Sequence, residues 1–442
     1  PQRPRPRCPR LLPLLLLLAA VALIPPRQAA AAAAMRAPLD GGAGQVDDEL
    51  LQLLALHQRL MTSGTGDLQA NLTEASTKLA LMDVAFGDQV VRLALDTGST
   101  NTWVTSVECN STVCSSHLRY DPAKSKTFAN LSAACPDVID VYFGTGRMSA
   151  KMHQETVTLG GRDGIAVPEQ DFLLATAEYG GVFKTSEFSG VLGLGFRSLA
   201  WNQHEPLFDH MCRSGQVKDN QFYFLLQDPA RQYFVMGRPS DFESHFTGTL
   251  QANPVIDSYY WTVKLDDILL GGESVLTGDV LNESCPVSAS GARECRIAFD
   301  SGSTLNTMPT SAYHAVLRAY HRASCPDSAS SPTPGAANEA EPDLTFVIGG
   351  VNYTFSRDEY TSSATNDDAS CASLLAHNLD VGNEHGPLFL AGQVFQRKYL
   401  TVYQRGPNGS DDGSRVLLAP AKKQAGQSLR AFLLEHLAAP RP

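Results

Sequence analysis

Apolar positions along this chain fall in short runs cut by Gly, Asp and Asn. From Leu79 onward they read LALMDVAF (79–86), VVRLALD (90–96), VIDVYFGTG (138–146) and ETVTLGG (155–161). They continue as QFYFLLQ (221–227), QYFVMG (232–237), YYWTVKLDDILLGG (259–272), LTFVIGG (344–350), PLFLAG (387–392) and YLTVYQR (399–405). Short runs rich in Val, Ile, Tyr and Phe and bounded by turn formers are the pattern of strands, so an all-β architecture is expected. Helical periodicity is confined to Asp47–Met61, with acids in its first turn, and to Pro206–Ser214, Ser311–Arg322 and Gln427–Leu437. Ser63–Thr77 is polar and turn-rich, and Pro326–Pro342 is a low-complexity stretch that reads as a surface insertion.

The N-terminus has a separate pattern. Arg3, Arg5, Arg7 and Arg10 precede the apolar stretch Leu11–Ile24, which is followed by Pro25-Pro26 and the run Ala29–Ala34. That is the build of a secretory signal peptide over residues 1–34. The alternative is a retained anchor, but the stretch is short of the ~20 apolar residues a spanning helix needs, and Pro13 interrupts it. The chain begins with Pro1 rather than Met, so its natural start is expected upstream.

Composition narrows the function class. The 442 residues carry 35 Lys+Arg against 46 Asp+Glu, a formal net charge of −11, with 43% hydrophobic and 18% charged residues. This is globular composition. The first 34 residues hold five Arg and no acid, so the remainder is more acidic still. An acidic chain without a basic run is a poor binder of nucleic acid. Six N-x-Ser/Thr sequons, at Asn71, Asn110, Asn130, Asn282, Asn352 and Asn408, agree with passage through the secretory pathway. Of nine Cys, Cys8 lies in the leader, and the remaining eight form no CxxC pair or His/Cys cluster. Disulfides in an oxidising compartment therefore fit better than a zinc site, and no metal is expected.

One repeat carries chemistry. Leu93-Ala94-Leu95-Asp96-Thr97-Gly98-Ser99-Thr100 recurs as Ile297-Ala298-Phe299-Asp300-Ser301-Gly302-Ser303-Thr304. Each copy is followed about a hundred residues later by apolar residues running into glycine, Gly190–Gly195 and Leu388–Gly392. An internal duplication implies two similar lobes. A single Asp-Thr/Ser-Gly is ordinarily a β-turn. Two copies, each at the end of an apolar strand, can set two carboxyls face to face. The glycines allow close approach, and the hydroxyls of Thr97, Ser99, Ser301 and Ser303 are available to bond the carboxylates or the facing turn.

These residues resemble the pepsin-like aspartic proteases from about residue 79 to 421. Asp96–Val104, which includes Trp103, is similar to the family's first active-site motif, and Asp300–Thr304 to its second. Phe143-Gly144-Thr145-Gly146 resembles the flap hairpin that closes over substrate, Tyr259-Tyr260-Trp261 the start of the second lobe, and Gly392–Phe395 through Leu418-Ala419-Pro420 the C-terminal signature. The resemblance implies a bilobal, monomeric endopeptidase with no cofactor. Asp96 and Asp300 would be catalytic, and Thr97, Ser99, Trp103 and Ser301 would support them. An extended polypeptide would be held by Gly98, Phe143, Gly144, Thr145, Tyr260, Gly302, Ser303 and Thr304. It implies disulfides Cys109–Cys114, Cys285–Cys295 and Cys325–Cys371, and leaves the pairing of Cys135 and Cys212 open. It divides the chain into a signal peptide (1–34), a pro-segment (35–78), lobes at 79–245 and 246–425 and a tail (426–442). The expected destination is the outside of the cell or an acidic, lysosome-like compartment, with activity at acidic pH.

Four departures bear on this. The flap position usually held by Tyr is Phe143, the Gly-x-Pro-Pro-Gln near the first strand is reduced to Gly87-Asp88-Gln89, and Gln393 stands where Asp often follows the last glycine. Residues 35–78 carry three bases against six acids, whereas the family's pro-segment is usually basic. The tail pattern Ser428–Leu437 suits a surface helix or a contact with membrane or partner. A non-catalytic binding protein on the same fold is the competing reading, since fold does not fix function.

Overall fold

The computed structural model describes residues 68–422 apart from 75–78, 132–137, 144–145, 185, 228–231, 288–290, 325–341, 361–375, 379–380 and 384–385. The leader, the 47–61 helix, Arg59, Lys78, most of the low-complexity stretch and the tail lie outside these residues. What is described is mostly strand, as the alternation predicts. The first half supplies β1 (Leu68–Glu74), β2 (Ala80–Phe86), β3 (Gln89–Asp96), β4 (Trp103–Thr105), β5 (Ile139–Phe143), β6 (Gly146–Leu159), β7 (Ile165–Gly180), β8 (Gly190–Gly193), β9 (Gln221–Leu225) and β10 (Gln232–Met236). The second supplies β11 (Gln251–Pro254), β12 (Thr262–Leu265), β13 (Asp267–Leu270), β14 (Glu273–Ser274), β15 (Cys295–Phe299), β16 (Asn306–Met308), β17 (Leu344–Ile348), β18 (Val351–Phe355), β19 (Ala376–Asn378), β20 (Val381–Asn383), β21 (Gly386–Ala391), β22 (Tyr399–Gln404) and β23 (Arg415–Pro420). The helical patterns at 206–214 and 311–322 form as Leu207–Arg213 and Thr310–Ser324.

The sequence duplication is a duplication of sheet topology. β3 runs parallel to β8, β8 antiparallel to β4, and β4 parallel to β7. In the second half β15 runs parallel to β21, β21 antiparallel to β16, and β16 parallel to β19. Each Asp therefore emerges at the end of a buried strand beside an apolar strand that ends in glycine. Gly193 and Gly392 are needed there. A Cβ on Gly193 would run into the Thr100 backbone, and one on Gly392 into the Ser303 and Leu305 carbonyls.

An antiparallel sheet in the order β11-β23-β22-β9-β10-β1 joins the two halves and continues through β1 into β2. Its inner face is aromatic. Phe222 stacks on Tyr403 at 4.9 Å, and Trp261 meets Tyr403 edge-on at 5.1 Å. Each such ring, fully buried, contributes roughly 1.5–3 kcal/mol. Arg405 pins the halves together. Its Nε donates to Asp209 at 2.7 Å, its Nη2 donates to the Gly195 carbonyl at 2.7 Å, and its guanidinium lies 3.8 Å from the Phe196 ring centroid. β1 is a difference from the sequence reading of 63–77 as turn-rich. Leu68, Ala70 and Leu72 alternate with polar residues, and β10 supplies the ladder from Leu68↔Met236 to Leu72↔Gln232.

Cys109–Cys114 and Cys285–Cys295 are disulfides. Cys325, Cys371 and Cys135 lie outside the described residues, and Cys212 is a buried free thiol. Among the described residues no helix is long and apolar enough to cross a membrane.

Candidate active site

The two Asp-x-Gly turns meet at the junction of the halves. Thr97 N–H donates to Ser301 Oγ at 3.0 Å, and Ser301 N–H donates to Thr97 Oγ1 at 2.8 Å. Each hydroxyl also donates across the junction, Thr97 Oγ1 to the Phe299 carbonyl at 2.9 Å and Ser301 Oγ to the Leu95 carbonyl at 2.9 Å. All four groups are buried, so the bonds are shielded from competing water.

This clamp aims two carboxyls at one another. Asp96 is 5% exposed and Asp300 4%. Each is held by one backbone N–H and one hydroxyl. Gly98 N–H donates to Asp96 Oδ1 at 2.9 Å and Ser99 Oγ to Oδ2 at 2.5 Å. Gly302 N–H donates to Asp300 Oδ1 at 2.8 Å and Ser303 Oγ to Oδ2 at 2.7 Å. Donors of this kind fix the rotamer of the carboxyl they hold. A Cβ on Gly98 would lie 2.5 Å from Asp300 Oδ1. One on Gly302 would touch Asp96 Oδ1 and lie 3.2 Å from Asp300 Oδ1, so one small volume borders both carboxyls.

The remaining expected site residues spread around this centre. Trp103 is buried on β4 and meets Phe183 edge-on at 5.8 Å. Behind Phe183 lies a cluster that sequence gave no signal for. His117 Nε2 is 2.7 Å from the Phe183 carbonyl, His117 Nδ1 lies 3.4 Å from Glu178, and Thr105 Oγ1 donates to Glu178 at 2.6 Å. Tyr260 is buried with Ala298 of β15, the strand that leads into Asp300, and with Leu388 and Leu390 of its neighbour β21. Thr304 is buried, and its carbonyl accepts from Val394 N–H at 3.1 Å. The expected flap is a hairpin of β5 and β6 in which Phe143 pairs with Gly146. Gly144, Thr145 and the side chain of Phe143 lie outside the described residues.

Beneath Asp300 a second group that the sequence did not announce comes together. Gln393, fully buried, donates from Nε2 to the Ser301 carbonyl at 3.0 Å, while Arg397 Nη2 donates to its Oε1 at 3.4 Å. Tyr403 O–H donates to Gln396 Oε1 at 3.0 Å, and burial holds the Tyr403 phenol well above its ordinary range. Only Gln393 stood out in the sequence, as a departure. Its partners are a backbone carbonyl 92 residues away and a guanidinium one helical turn on. Among the described residues, Cys109, Cys114 and Glu178 group ligand-type atoms, but both sulfurs are in the disulfide, so no thiolate is on offer to a metal.

A sequence model of the eukaryotic aspartyl protease family matches residues 81–411. Pepsin A of Sus scrofa is 32% identical over 327 residues, covering 74% of this chain and 76% of that protein. Pepsin A of Suncus murinus is 30% identical over 364 residues, covering 79% and 85%. Pepsin II-2/3 of Oryctolagus cuniculus is 31% identical over 314 residues, covering 71% and 74%. With a family match over most of its length and relatives of this kind, the chain belongs to the eukaryotic aspartyl protease family and is a pepsin-like aspartic endopeptidase that hydrolyses peptide bonds.

Proposed function

We propose that Asp96 and Asp300 share one proton and activate a water between them, in an enzyme that works at acidic pH. The observation that carries this reading is the mutual approach of the two turns, in which a single added carbon on Gly302 would meet both carboxyls. Two carboxyls so close cannot both ionise without a large electrostatic cost, so one holds a proton in acid. This is the general logic of aspartic proteases, and the titration belongs to the pair.

The ionised member takes a proton from the water, whose oxygen attacks the peptide carbonyl carbon. The protonated member gives its proton to the carbonyl oxygen. The tetrahedral intermediate then collapses as the nitrogen takes a proton and leaves as an amine. No covalent adduct and no cofactor enters this scheme. Thr97, Ser99, Trp103 and Ser301 keep the turns in register. Gly98, Phe143, Gly144, Thr145, Tyr260, Gly302, Ser303 and Thr304 are read as the residues that hold an extended polypeptide substrate. Residues 1–34 are read as a secretory leader and 35–78 as a pro-segment, ahead of lobes at 79–245 and 246–425 and a tail at 426–442. The monomeric product is read as secreted or held in an acidic compartment.

The test is cleavage of a denatured protein substrate by the acid-incubated full chain and by Asp96→Asn, from about pH 3 to 7. Activity that peaks in acid and disappears in the variant supports the reading. Undiminished cleavage by Asp96→Asn ends it. Equal inertness of both proteins would return the binding-protein reading.

A further inference from the structure

The two carboxyls have similar immediate donors but different foundations. The peptide unit between Ser301 and Gly302 supplies the N–H that donates to Asp300 Oδ1. The carbonyl of that same unit accepts from Gln393 Nε2 at 3.0 Å. An amide bonded at its oxygen is a stronger donor at its nitrogen, because the two bonds polarise one another. In the first half Leu194, which follows Gly193 as Gln393 follows Gly392, has no polar side-chain atom to offer. Its contacts here are made by backbone: its N–H donates to the Asp96 carbonyl at 2.9 Å and its carbonyl accepts from Trp261 Nε1 at 2.9 Å.

We infer that Gln393 is a positioning residue that acts on Asp300 through the Ser301–Gly302 peptide and favours the singly charged state of the carboxyl pair. The inference rests on the dyad reading above and deepens it. The orientation of the Gln393 amide is fixed by its surroundings. Arg397 is donor-only, so the atom facing it is Oε1, which turns Nε2 to the Ser301 carbonyl. Gln393 also clamps the far side of the same turn, its backbone N–H donating to the Ser303 carbonyl at 2.9 Å. Among the described residues, the charged and titratable groups near this turn are Asp300 itself, Arg397 on the helix Gln393–Lys398 that Gln393 begins, and Tyr403 on β22, which interacts with Asp300 and whose hydroxyl donates to Gln396. Arg397 also donates from Nη1 to the Leu226 carbonyl at 2.8 Å, which fixes the guanidinium that orients the Gln393 amide. A carboxylate at position 393 would supply no donor once ionised, whereas the amide donates at every pH.

The test compares kcat and KM on a peptide substrate from about pH 2.5 to 7 for wild type, Gln393→Leu, Gln393→Met and Asp300→Asn. Gln393→Leu should lower kcat about tenfold with KM within about twofold, and should move the acid limb of kcat/KM upward by about half a pH unit or more. Gln393→Met, which keeps the length of the side chain but offers no donor at any pH, should move that limb upward too, and it carries the test if the Leu variant does not fold. Variants that lose kcat with an unshifted acid limb, or that match wild type throughout, overturn the inference while an inactive Asp300→Asn leaves the dyad standing. Full activity of Asp300→Asn overturns both.

Discussion

Thr97 and Ser301 each donate a backbone N–H to the other's hydroxyl, at 3.0 and 2.8 Å, so neither Asp turn is held in register without the other. Ser301→Ala leaves the Thr97 N–H and the Leu95 carbonyl without this partner in a buried site, at about 1–3 kcal/mol for each group. We expect a lower unfolding midpoint in denaturant and a kcat reduced about a hundredfold, because misplaced reacting groups lose rate steeply. Ser301→Thr keeps the hydroxyl and should recover most of the stability. Parallel chemical denaturation and single-turnover kinetics check this, and an Ala variant with wild-type values of both would contradict it.

The glycines of the turns are expected to be intolerant for a different reason. Alanine at position 98 brings its methyl within 2.5 Å of Asp300 Oδ1, and at position 302 against Asp96 Oδ1. The space lost is the volume bordering both carboxyls, where the attacking water would sit. Gly302→Ala should therefore abolish detectable turnover. It should also weaken binding of a peptide that mimics the tetrahedral transition state by at least about a hundredfold, since such ligands depend on that geometry. Tight binding by calorimetry would show that the turn can yield and the argument from space is wrong.

His153 sets an acid limit on stability. It is 3% exposed on β6, lies against Phe128 at 5.0 Å between ring centroids, and its Nδ1 accepts the Leu131 N–H at 3.3 Å. Burial, with Lys151 nearby, lowers its pKa from 6.5 to about 4. The folded state thus favours the neutral ring. The resulting stability is fully present above pH 6.5 and is lost as pH falls through about 4. The shift corresponds to at most about 3 kcal/mol. His153→Gln, which cannot titrate, should roughly halve the difference in unfolding free energy between near-neutral and acidic buffers. An unchanged difference would assign acid sensitivity elsewhere.

What the sequence made legible follows from which interactions are local. Asp96 and Asp300 were visible because a strand ending in Asp-Thr/Ser-Gly is a local pattern, and its repetition signalled two halves with one topology. The glycines at 193 and 392 were visible as ends of apolar runs, although the Thr100 and Ser303 backbones that require them were not. Gln393 stood out only as a substitution. Its action depends on Ser301 and Gly302, 92 and 91 residues upstream, and on an orientation imposed by Arg397. His153 carries no signal in the sequence, because its burial against Phe128 and Leu131 is made by residues more than twenty positions away. The strand at 68–74 escaped notice because its alternation is brief and its ladder is supplied by residues 232–236.

Asp209 sets the opposite limit. Burial raises its carboxyl from 3.8 to about 6, even with Arg405 donating to it at 2.7 Å. A raised carboxyl means the folded state favours the protonated form. Its contribution is therefore present below pH 3.8 and is lost as pH rises through about 6, because the unfolded chain releases the proton first. Between about pH 4 and 6 the Asp209 and His153 contributions therefore run in opposite directions and largely offset one another, so each shows fully only when the other's titration is removed. Asp209→Asn removes the titration but leaves the Arg405 guanidinium buried without its carboxylate, which costs about 3–5 kcal/mol when the pair would have been charged. The variant should be less stable than wild type at neutral pH, and its stability relative to wild type should rise from about pH 4 to 7. Thermal unfolding across that range decides the matter, and a variant whose stability differs from wild type by the same amount at every pH would show that the junction held by Arg405 is not where rising pH acts.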